Sequence, residues 1–314
     1  MSRQSVRVSV VIPALNEVTQ LPDTLRAVAR ELPDAAVVVA DNGSTDGTQD
    51  IARAMGATVL DLPGLTIAAL RNRGAAAVAS DVLVFIDADV LLGEGWGQPF
   101  QHTTLSLQAE PMQVTGSRCL PEDTQSYVGR YWYPLLNRAA QVNYINSGHL
   151  IVPRTLFDQI SGFAEHLKTG EDHDFCQRAI AVGGVLKPEP DLRVFHRGYP
   201  NTVAGFMRRE MWHGRSDFAS LGAVLRSAVA MVALGCLAML LAGLVGTVIT
   251  LSLWPIVMTW LLSYSLCIGL VRRKFGRLAW RPWLHAAWLF YLYLIARSMS
   301  WSYRVQRPKE RSGS

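Results

Sequence analysis

The sequence predicts an α/β domain built on a doubly wound, mainly parallel sheet, followed by C-terminal transmembrane helices. Three observations carry this prediction. Short apolar runs rich in β-branched residues alternate with segments of helical periodicity across residues 1–200, and each run stops abruptly at a polar cluster. No acidic or basic residue and no histidine occurs between Arg226 and Arg272. Strands apolar at every position belong to sheets covered on both faces, and alternation with helices is the mark of βα units. The uncharged stretch suffices for about two membrane crossings at about 20 residues each.

Taken in order, Val8 to Ile12 is the first strand, ending at Pro13-Ala14-Leu15-Asn16-Glu17. Pro22 and Asp23 open a helix whose Leu25, Val28, Ala29 and Leu32 recur at helical spacing. Val37 to Ala40 is the second strand, and its polar end runs from Asp41 to Gly47. Ser44 or Thr45 is expected to cap the next helix, which carries Ile51, Ala52 and Met55 on one face and stops at Gly56. A short strand at Ala57 to Leu60 and an alanine-rich helix from Leu65 to Ala79 lead into the strand that starts at Val82. From Glu94 to Tyr144 the pattern is irregular. Order returns with a strand at His149 to Val152 and a helix from Asp174 to Val182, where Phe175, Ala179 and Val182 share a face ahead of Gly183-Gly184. Leu192 to Phe195 is the last strand, and it ends at His196.

The strand at Val82 runs straight into Asp87 and Asp89. Alternate residues of an extended segment face one side, so both carboxylates can address one hard cation at the carboxyl end of a buried strand. Such a pair suits a metal-bound diphosphate. Open α/β sheets bind ligands at the carboxyl ends of their strands, and three consecutive ends here carry side chains suited to a nucleotide. A bare Asp-x-Asp is a weak motif; its place after an apolar strand gives it weight. His196 is a candidate for the metal or the diphosphate, against the commoner structural use of a lone histidine.

The 314 residues are 50% hydrophobic and carry a formal net charge of +5. Much of the excess lies beside the apolar segments, at Arg272, Arg273, Lys274, Arg277 and Arg281 and then at Arg304, Arg307, Lys309 and Arg311. Basic residues in such places report orientation and contact with membrane lipids, and with no recognition motif a nucleic-acid partner is excluded. Cys119, Cys176, Cys236 and Cys267 lack metal-type spacing and are expected to be reduced, packed thiols. The segment MSRQSVRVSV lacks the apolar core of a signal peptide, so the first domain is expected to stay on the side where it was made.

Spans are expected at Ser227 to Val248 and Leu251 to Val271, with the basic loop after them cytoplasmic. A third apolar segment, Trp283 to Ala296, contains His285 and is short for a crossing. It reads equally as an interfacial or re-entrant piece, or as a third span if Arg297 snorkels. The expected organisation is a catalytic domain over residues 1–200, an amphipathic interface segment over 201–226, a membrane region over 227–303 and a basic cytoplasmic tail over 304–314.

Four ordered blocks, SVVIPALNE, VVVADNGSTDGT, LRNRGAAAVASDVLVFIDAD and GHLIVPRTLFDQISGFAEHLKTGEDHDFCQRA, resemble glycosyltransferase family 2, a group of inverting enzymes with the GT-A fold. The resemblance covers about residues 6–200. It implies a UDP- or GDP-linked sugar donor and Mg²⁺ or Mn²⁺. Pro13, Leu15 and Glu17 match the block lining the nucleoside pocket, and Asp41 and Ser44 match the block whose aspartate contacts the base. Asn42 departs from the pattern, where a second acid is common, and puts a charge-dependent role there in doubt. Arg71 and Asn72 match the block whose arginine approaches the diphosphate. Asp87 and Asp89 match the metal motif, with Asp89 the expected direct ligand and Asp87 on the ribose or on a metal-bound water. Glu171 and Asp172 match the acidic pair that supplies the base, although helix capping alone accounts for acids at a helix start.

Arg208, Arg209 and Trp212 are similar to the segment that covers donor and acceptor in processive relatives, or else they anchor at the interface. Tyr127, Tyr131, Trp132, Tyr133 and Tyr144 form either an acceptor groove or a packing patch. A hydroxyl acceptor needs a carboxylate to take its proton, whereas a polyprenyl phosphate is already ionised. The acidic pair therefore favours a hydroxyl on a lipid or lipid-linked glycan, as in cell-envelope polysaccharide or glycolipid synthesis, over a polyprenyl-phosphate acceptor. The expected location is the inner or plasma membrane with the catalytic domain cytoplasmic. A sugar nucleotidyltransferase would open with a Gly-rich basic loop, absent after Ile12, and a non-catalytic nucleotide-binding scaffold would tolerate loss of Asp172.

Overall fold

A computed structural model describes residues 6–136, 144–167, 169–218 and 220–302, and the basic tail expected over 304–314 lies outside them. The chain divides into two units, Met1–Glu122 with Ala140–Gly198, and Asp123–Ala139 with Tyr199–Ser314.

The first unit is α/β. Its elements begin β1 (Val8–Ala14), α1 (Leu21–Glu31), β2 (Ala36–Asp41), α2 (Thr48–Ala54), β3 (Thr58–Asp61), α3 (Ile67–Ala76) and β4 (Val82–Ile86). They continue with β5 (Val90–Leu92), α4 (Gly97–Ala109), β6 (Gln113–Gly116) and β7 (Cys119–Pro121). After α5 (Tyr127–Tyr131) and α6 (Tyr133–Leu136) of the second unit come β8 (His149–Pro153), α7 (Arg154–Gln159), α8 (Glu171–Ala181), β9 (Val185–Pro188) and β10 (Val194–His196). Seven strands form one sheet in the order β3-β2-β1-β4-β8-β6-β9, and β5-β10-β7 form a smaller one. In the large sheet β1 pairs in parallel with both β2 and β4, whereas β8 runs antiparallel to its neighbours β4 and β6.

The unbroken apolar runs reflect this burial. Val10, Ile12, Val82, Val84 and Ile86 face a core shared with Leu21, Leu25 and Val28 of α1 and with Trp96 and Phe100. The intervening Val11, Leu83 and Phe85 face the opposite core, with Ala68 and Ala75 of α3 and Phe175 and Ala179 of α8. With both faces covered, period-2 geometry favours apolar residues at successive strand positions. The order 3-2-1-4 also means that successive connections leave β1 on one side and reach β4 on the other. The carboxyl ends of β1 and β4 therefore form a topological switch point, the crevice where such sheets bind ligands.

The structure revises several local expectations. Helix α2 starts at Thr48, and neither Ser44 nor Thr45 caps it; the Asp46 carboxylate accepts the Thr48 N–H at 3.0 Å. Helix α8 starts at Glu171, three residues earlier than the apolar periodicity indicated, so Glu171, Asp172 and Asp174 all lie in its first turn. Strand β4 ends at Ile86, and Asp87 to Val90 form a turn closed by the Val90 N–H on the Asp87 carbonyl at 3.0 Å. The alignment of Asp87 with Asp89 comes from that turn and not from strand alternation.

The second unit is helical, with α9 (Val203–His213), a 3-10 turn at Gly214–Phe218, α10 (Leu221–Arg226), α11 (Ala228–Thr250), α12 (Trp254–Phe275) and α13 (Trp280–Ser298). Helices α11 and α12 are long and apolar enough to cross a membrane, and Leu244, Val248, Ile249, Met258 and Leu262 on them are exposed. The third apolar segment is part of α13, a continuous helix of 19 residues whose Ala286, Ala287, Leu289, Phe290 and Leu294 are buried in the core of this unit. Arg297 pairs with Glu210 at 3.1 Å and Asp217 at 3.2 Å. Among the described residues no cysteine forms a disulfide, and Cys176, Cys236 and Cys267 are buried.

Candidate functional site

Two loops build the first wall of a site at the switch point. After β1 the Asn16 backbone turns through φ 57°, a left-handed value that asparagine tolerates better than most residues. The Asn16 N–H donates to Ser44 Oγ at 2.8 Å, the Glu17 N–H to Thr48 Oγ1 at 2.8 Å, and the Val18 N–H to Asp46 at 3.2 Å. Asp41, fully buried at the end of β2, accepts the Ser44 N–H at 2.7 Å and Gln49 Nε2 at 2.8 Å. Gly43 allows the loop its φ of 79°, and a Cβ there would lie 2.9 Å from Pro63. Asn42 Nδ2 donates to the Leu65 carbonyl at 3.2 Å while its Oδ1 accepts the Leu65 N–H at 3.1 Å. The polar runs after β1 and β2 thus knit the two loops together, and Asp41 faces this scaffold instead of presenting a carboxylate to a base.

The result is a cavity of about 340 Å³ lined by Pro13, Ala14, Leu15, Glu17, Asn42, Ile67, Leu70, Asp87, Ala88, Asp89 and His196. Pro13, Leu15, Glu17, Asp87, Asp89 and His196 come together as the sequence indicated. The turn that carries both aspartates is pinned: Thr24 Oγ1 donates to the Ala88 carbonyl at 2.7 Å, the Asp87 N–H reaches the Gly148 carbonyl at 3.3 Å, and the Arg197 N–H reaches the Asp89 carbonyl at 3.0 Å. Glu17 is pushed up to about 7, by burial first and then by the charges of Asp89, Asp46 and Asp87.

Arg71 is placed differently from the diphosphate contact expected of it. Its side chain is 1% exposed and bridges Asp87 at 2.7 Å and Glu171 at 2.9 Å, over the Phe163 ring. Asn72 likewise turns inward, with Nδ2 on the Phe163 carbonyl at 2.8 Å and Oδ1 accepting the Phe163 N–H at 2.9 Å. Glu171 also accepts Ser147 Oγ at 3.3 Å. Asp172 accepts Asn146 Nδ2 at 3.2 Å and the His173 N–H at 2.8 Å. Its carboxyl is held above the usual range, chiefly by burial and next by Glu171. Asp172 thus has a raised proton affinity, and Glu171 is the acid that makes the ion pair with Arg71.

Asp87 and Asp89 offer the hard oxygen donors that suit Mg²⁺ or Mn²⁺. Space is reserved beside each: a Cβ on Gly148 would fall 2.8 Å from Asp87 Oδ2, and one on Gly198 2.7 Å from Asp89 Oδ2. Among the described residues no group of three or more potential ligands converges as a closed cage. An open pair of carboxylates is the arrangement expected when phosphate oxygens and water complete the shell. His196 Nδ1 accepts the Gly198 N–H at 2.9 Å, and its Nε2 lies 3.6 Å from Asp89 Oδ2. In that tautomer Nε2 carries the proton, so ligation by His196 would require the proton to move to Nδ1 and the Gly198 bond to open.

Asn146, Ser147, Gly148 and Gly198 escaped the sequence reading. Turn residues before and after a strand carry no signal beyond the turn itself. Arg209 and Trp212, expected either to cover donor and acceptor or to anchor at the interface, lie on α9 in the second unit, where Arg209 sits over the Tyr199 ring at 4.3 Å and Arg215 over Trp212 at 4.6 Å. Tyr127, Tyr131, Trp132 and Tyr133 belong to one packed cluster of the second unit, with Tyr127 and Tyr131 flanking His285, and Tyr144 lies by His173 in the first unit.

Residues 9–103, which span β1 to α4 and so the two loops and the aspartate turn, match the family described as glycosyl transferase family 2. That stretch is a glycosyltransferase family 2 segment. The pre-mycofactocin glycosyltransferase of Mycobacterium tuberculosis is 28% identical over 223 residues, which is 67% of this chain and 46% of that relative. Glycosyltransferase AglE of Haloferax volcanii is 26% identical over 209 residues, 62% of this chain and 67% of AglE. The chain thus spans about half the length of the first relative. In fold it is similar to the mannosyltransferase PcManGT of Pyrobaculum calidifontis, solved with GDP-Man and Mn²⁺, at a TM-score of 0.61 and 20% identity, covering 96% of this chain and 88% of that one. That likeness shows the GT-A architecture.

Proposed function

We propose that this chain is a membrane-anchored, divalent-cation-dependent glycosyltransferase that moves a sugar, with inversion, from a UDP- or GDP-linked donor to a hydroxyl of a lipid or lipid-linked glycan. One observation carries the reading. Asp87 and Asn146, the partner of Asp172, both close on Gly148, so a cation carboxylate and a carboxyl of raised proton affinity share one turn at the end of the sheet. Pro13, Leu15 and Asn42 would line the nucleoside side of the cavity. Asp89 and Asp87 would hold the cation, which when bound neutralises charge on the departing diphosphate. We assign His196 to orienting Asp89 rather than to the ion.

In the transfer itself the acceptor hydroxyl attacks the anomeric carbon opposite the diphosphate. The C–O bond to the acceptor forms, the C–O bond to the diphosphate breaks, and the hydroxyl proton passes to Asp172. Glu171, already paired with Arg71, keeps the helix start in place. Helices α11 and α12 would anchor the chain, and the basic residues 272–281 favour a cytoplasmic catalytic unit.

The test uses the full chain in detergent with GDP-mannose, UDP-glucose and a total lipid extract, in Mn²⁺ and then in excess chelator. Donor consumption stops on chelation, and Asp172→Asn lowers it by about 10²- to 10⁴-fold. Consumption that survives either change overturns the assignment. A product that releases its sugar in mild acid replaces the hydroxyl acceptor by a polyprenyl phosphate.

A further inference from the structure

We infer that Asn146 is a positioning residue for the proposed base: its side-chain amide fixes the Asp172 carboxylate, and the turn Asn146-Ser147-Gly148 ties that carboxylate to the cation site. The inference rests on the reading of Asp172 as the base.

An asparagine amide has one accepting and one donating end. Here Oδ1 accepts the Gly148 N–H at 2.8 Å, which leaves Nδ2 to donate to Asp172 Oδ2 at 3.2 Å. The His173 N–H holds the other oxygen, Oδ1, at 2.8 Å. Each carboxylate oxygen thus has a fixed donor, and its remaining lone pairs are directed by them. The rest of the turn repeats the pattern. Ser147 Oγ donates to Glu171 at 3.3 Å, and the Gly148 carbonyl takes the Asp87 N–H at 3.3 Å. A Cβ on Gly148 would sit 2.8 Å from both Asn146 Oδ1 and Asp87 Oδ2, so only glycine lets the two groups close on the same backbone. Asn146 itself is exposed, while Ser147 and Gly148 are buried. Core packing therefore does not account for its side chain.

The bland alternative is a local turn. An Asn side chain accepting an N–H two residues on is a common turn device, and aspartate serves it equally well. Asn146→Asp is therefore the deciding variant, because it keeps the bond to Gly148, removes the donor and sets a second carboxylate against Asp172. Asn146→Ala removes both bonds.

The experiment follows consumption of radiolabelled GDP-mannose and UDP-glucose by the full chain in detergent with Mn²⁺, across pH. Asn146→Asp should lower kcat by about 10- to 100-fold with donor KM within about twofold, since a misplaced base slows the chemical step and not donor binding. The acidic limb of its kcat profile should move to higher pH, because a lost donor and an added like charge both favour protonated Asp172. Asn146→Ala should move the limb the same way by less. An Asn146→Asp enzyme with wild-type kcat and an unmoved limb overturns the inference while Asp172→Asn remains inactive. Turnover that survives Asp172→Asn overturns the underlying reading instead.

Discussion

Replacing Gly198 by alanine perturbs the proposed cation site at one atom. The added Cβ would lie 2.7 Å from Asp89 Oδ2 and 2.6 Å from His196 Cε1, where ordinary contact starts at 3.4 Å. The carboxylate or the ring must retreat by the difference, about 0.7 Å for the carboxylate. The residue is exposed and its φ lies outside the left-handed region, so the fold itself accepts alanine, and the Gly198 N–H can still reach His196 Nδ1. Misplacement of a site group by about 1 Å costs up to about 10²-fold in rate. Gly198→Ala should therefore lose about 10- to 100-fold in turnover at a fixed, subsaturating Mn²⁺ concentration. Part of that loss should return as Mn²⁺ rises. The assay is donor consumption against Mn²⁺ concentration, paired with electron paramagnetic resonance of free Mn²⁺ to read binding directly. Wild-type turnover together with wild-type Mn²⁺ binding would show that Asp89 does not hold the ion.

Arg71→Met removes a guanidinium buried between Asp87 and Glu171 and leaves two carboxylates uncompensated, so it should cost about 3–5 kcal/mol, read as a lowered unfolding midpoint. Arg71→Met with Glu171→Gln should recover part of the loss, and no recovery would rule out the ion pair as its source. Burial pushes His149 down to about 4 from an ordinary value near 6.5, so the folded chain keeps it neutral where the unfolded chain has protonated it. Its stability contribution is present above pH 6.5 and is lost as pH falls toward 4, by at most about 3 kcal/mol. His149→Gln, which keeps an acceptor for the Ser117 N–H, should flatten the unfolding midpoint over that window; an unchanged slope would exclude His149 as its cause. Leu244→Asp, on an exposed face of α11, should cost about 3 kcal/mol of membrane insertion and release the chain into the alkaline-extracted fraction, whereas unchanged retention would argue against a span there.

The strands were legible because burial on both faces writes itself into nearly every residue of a strand, whereas the turn that aligns Asp87 with Asp89 was read as a continuation of its strand. Val10, Ile12 and Val84 could not be polar on one face, nor Val11 and Leu83 on the other. Segments with little buried surface were not legible. Helix α4 buries only Phe100, Thr103 and Leu107 along 13 residues, too few to show a helical period, and β7 is three residues long. The site divided in the same way. Residues at strand ends line the cavity, while Arg71 and Asn72 turn to Glu171 and Phe163, partners about a hundred positions away that a local motif does not reveal. A motif gives the residue type at a position; only the fold tells whether the side chain turns to the ligand or to the scaffold.

That distinction bears on how the site would divide its charge. Glu17, Asp87, Asp89, Glu171 and Asp172 gather around one end of the sheet, and the buried guanidinium of Arg71 reaches Asp87 and Glu171. The excess negative charge surfaces in two separate places. Glu17 rises through burial first and then through Asp89, Asp46 and Asp87, whereas Asp172 rises through burial first and then through Glu171. A cation at Asp87 and Asp89 would therefore relieve Glu17 first. Arg71 pairs with Asp87 and Asn146 with Asp172, and burial and Glu171 lead the rise of Asp172, so the proposed base would keep its affinity for a proton when the donor and its metal arrive. An enzyme that must hold a cation and accept a proton within one cluster of carboxylates needs this separation, and a buried arginine shared between the two halves supplies it.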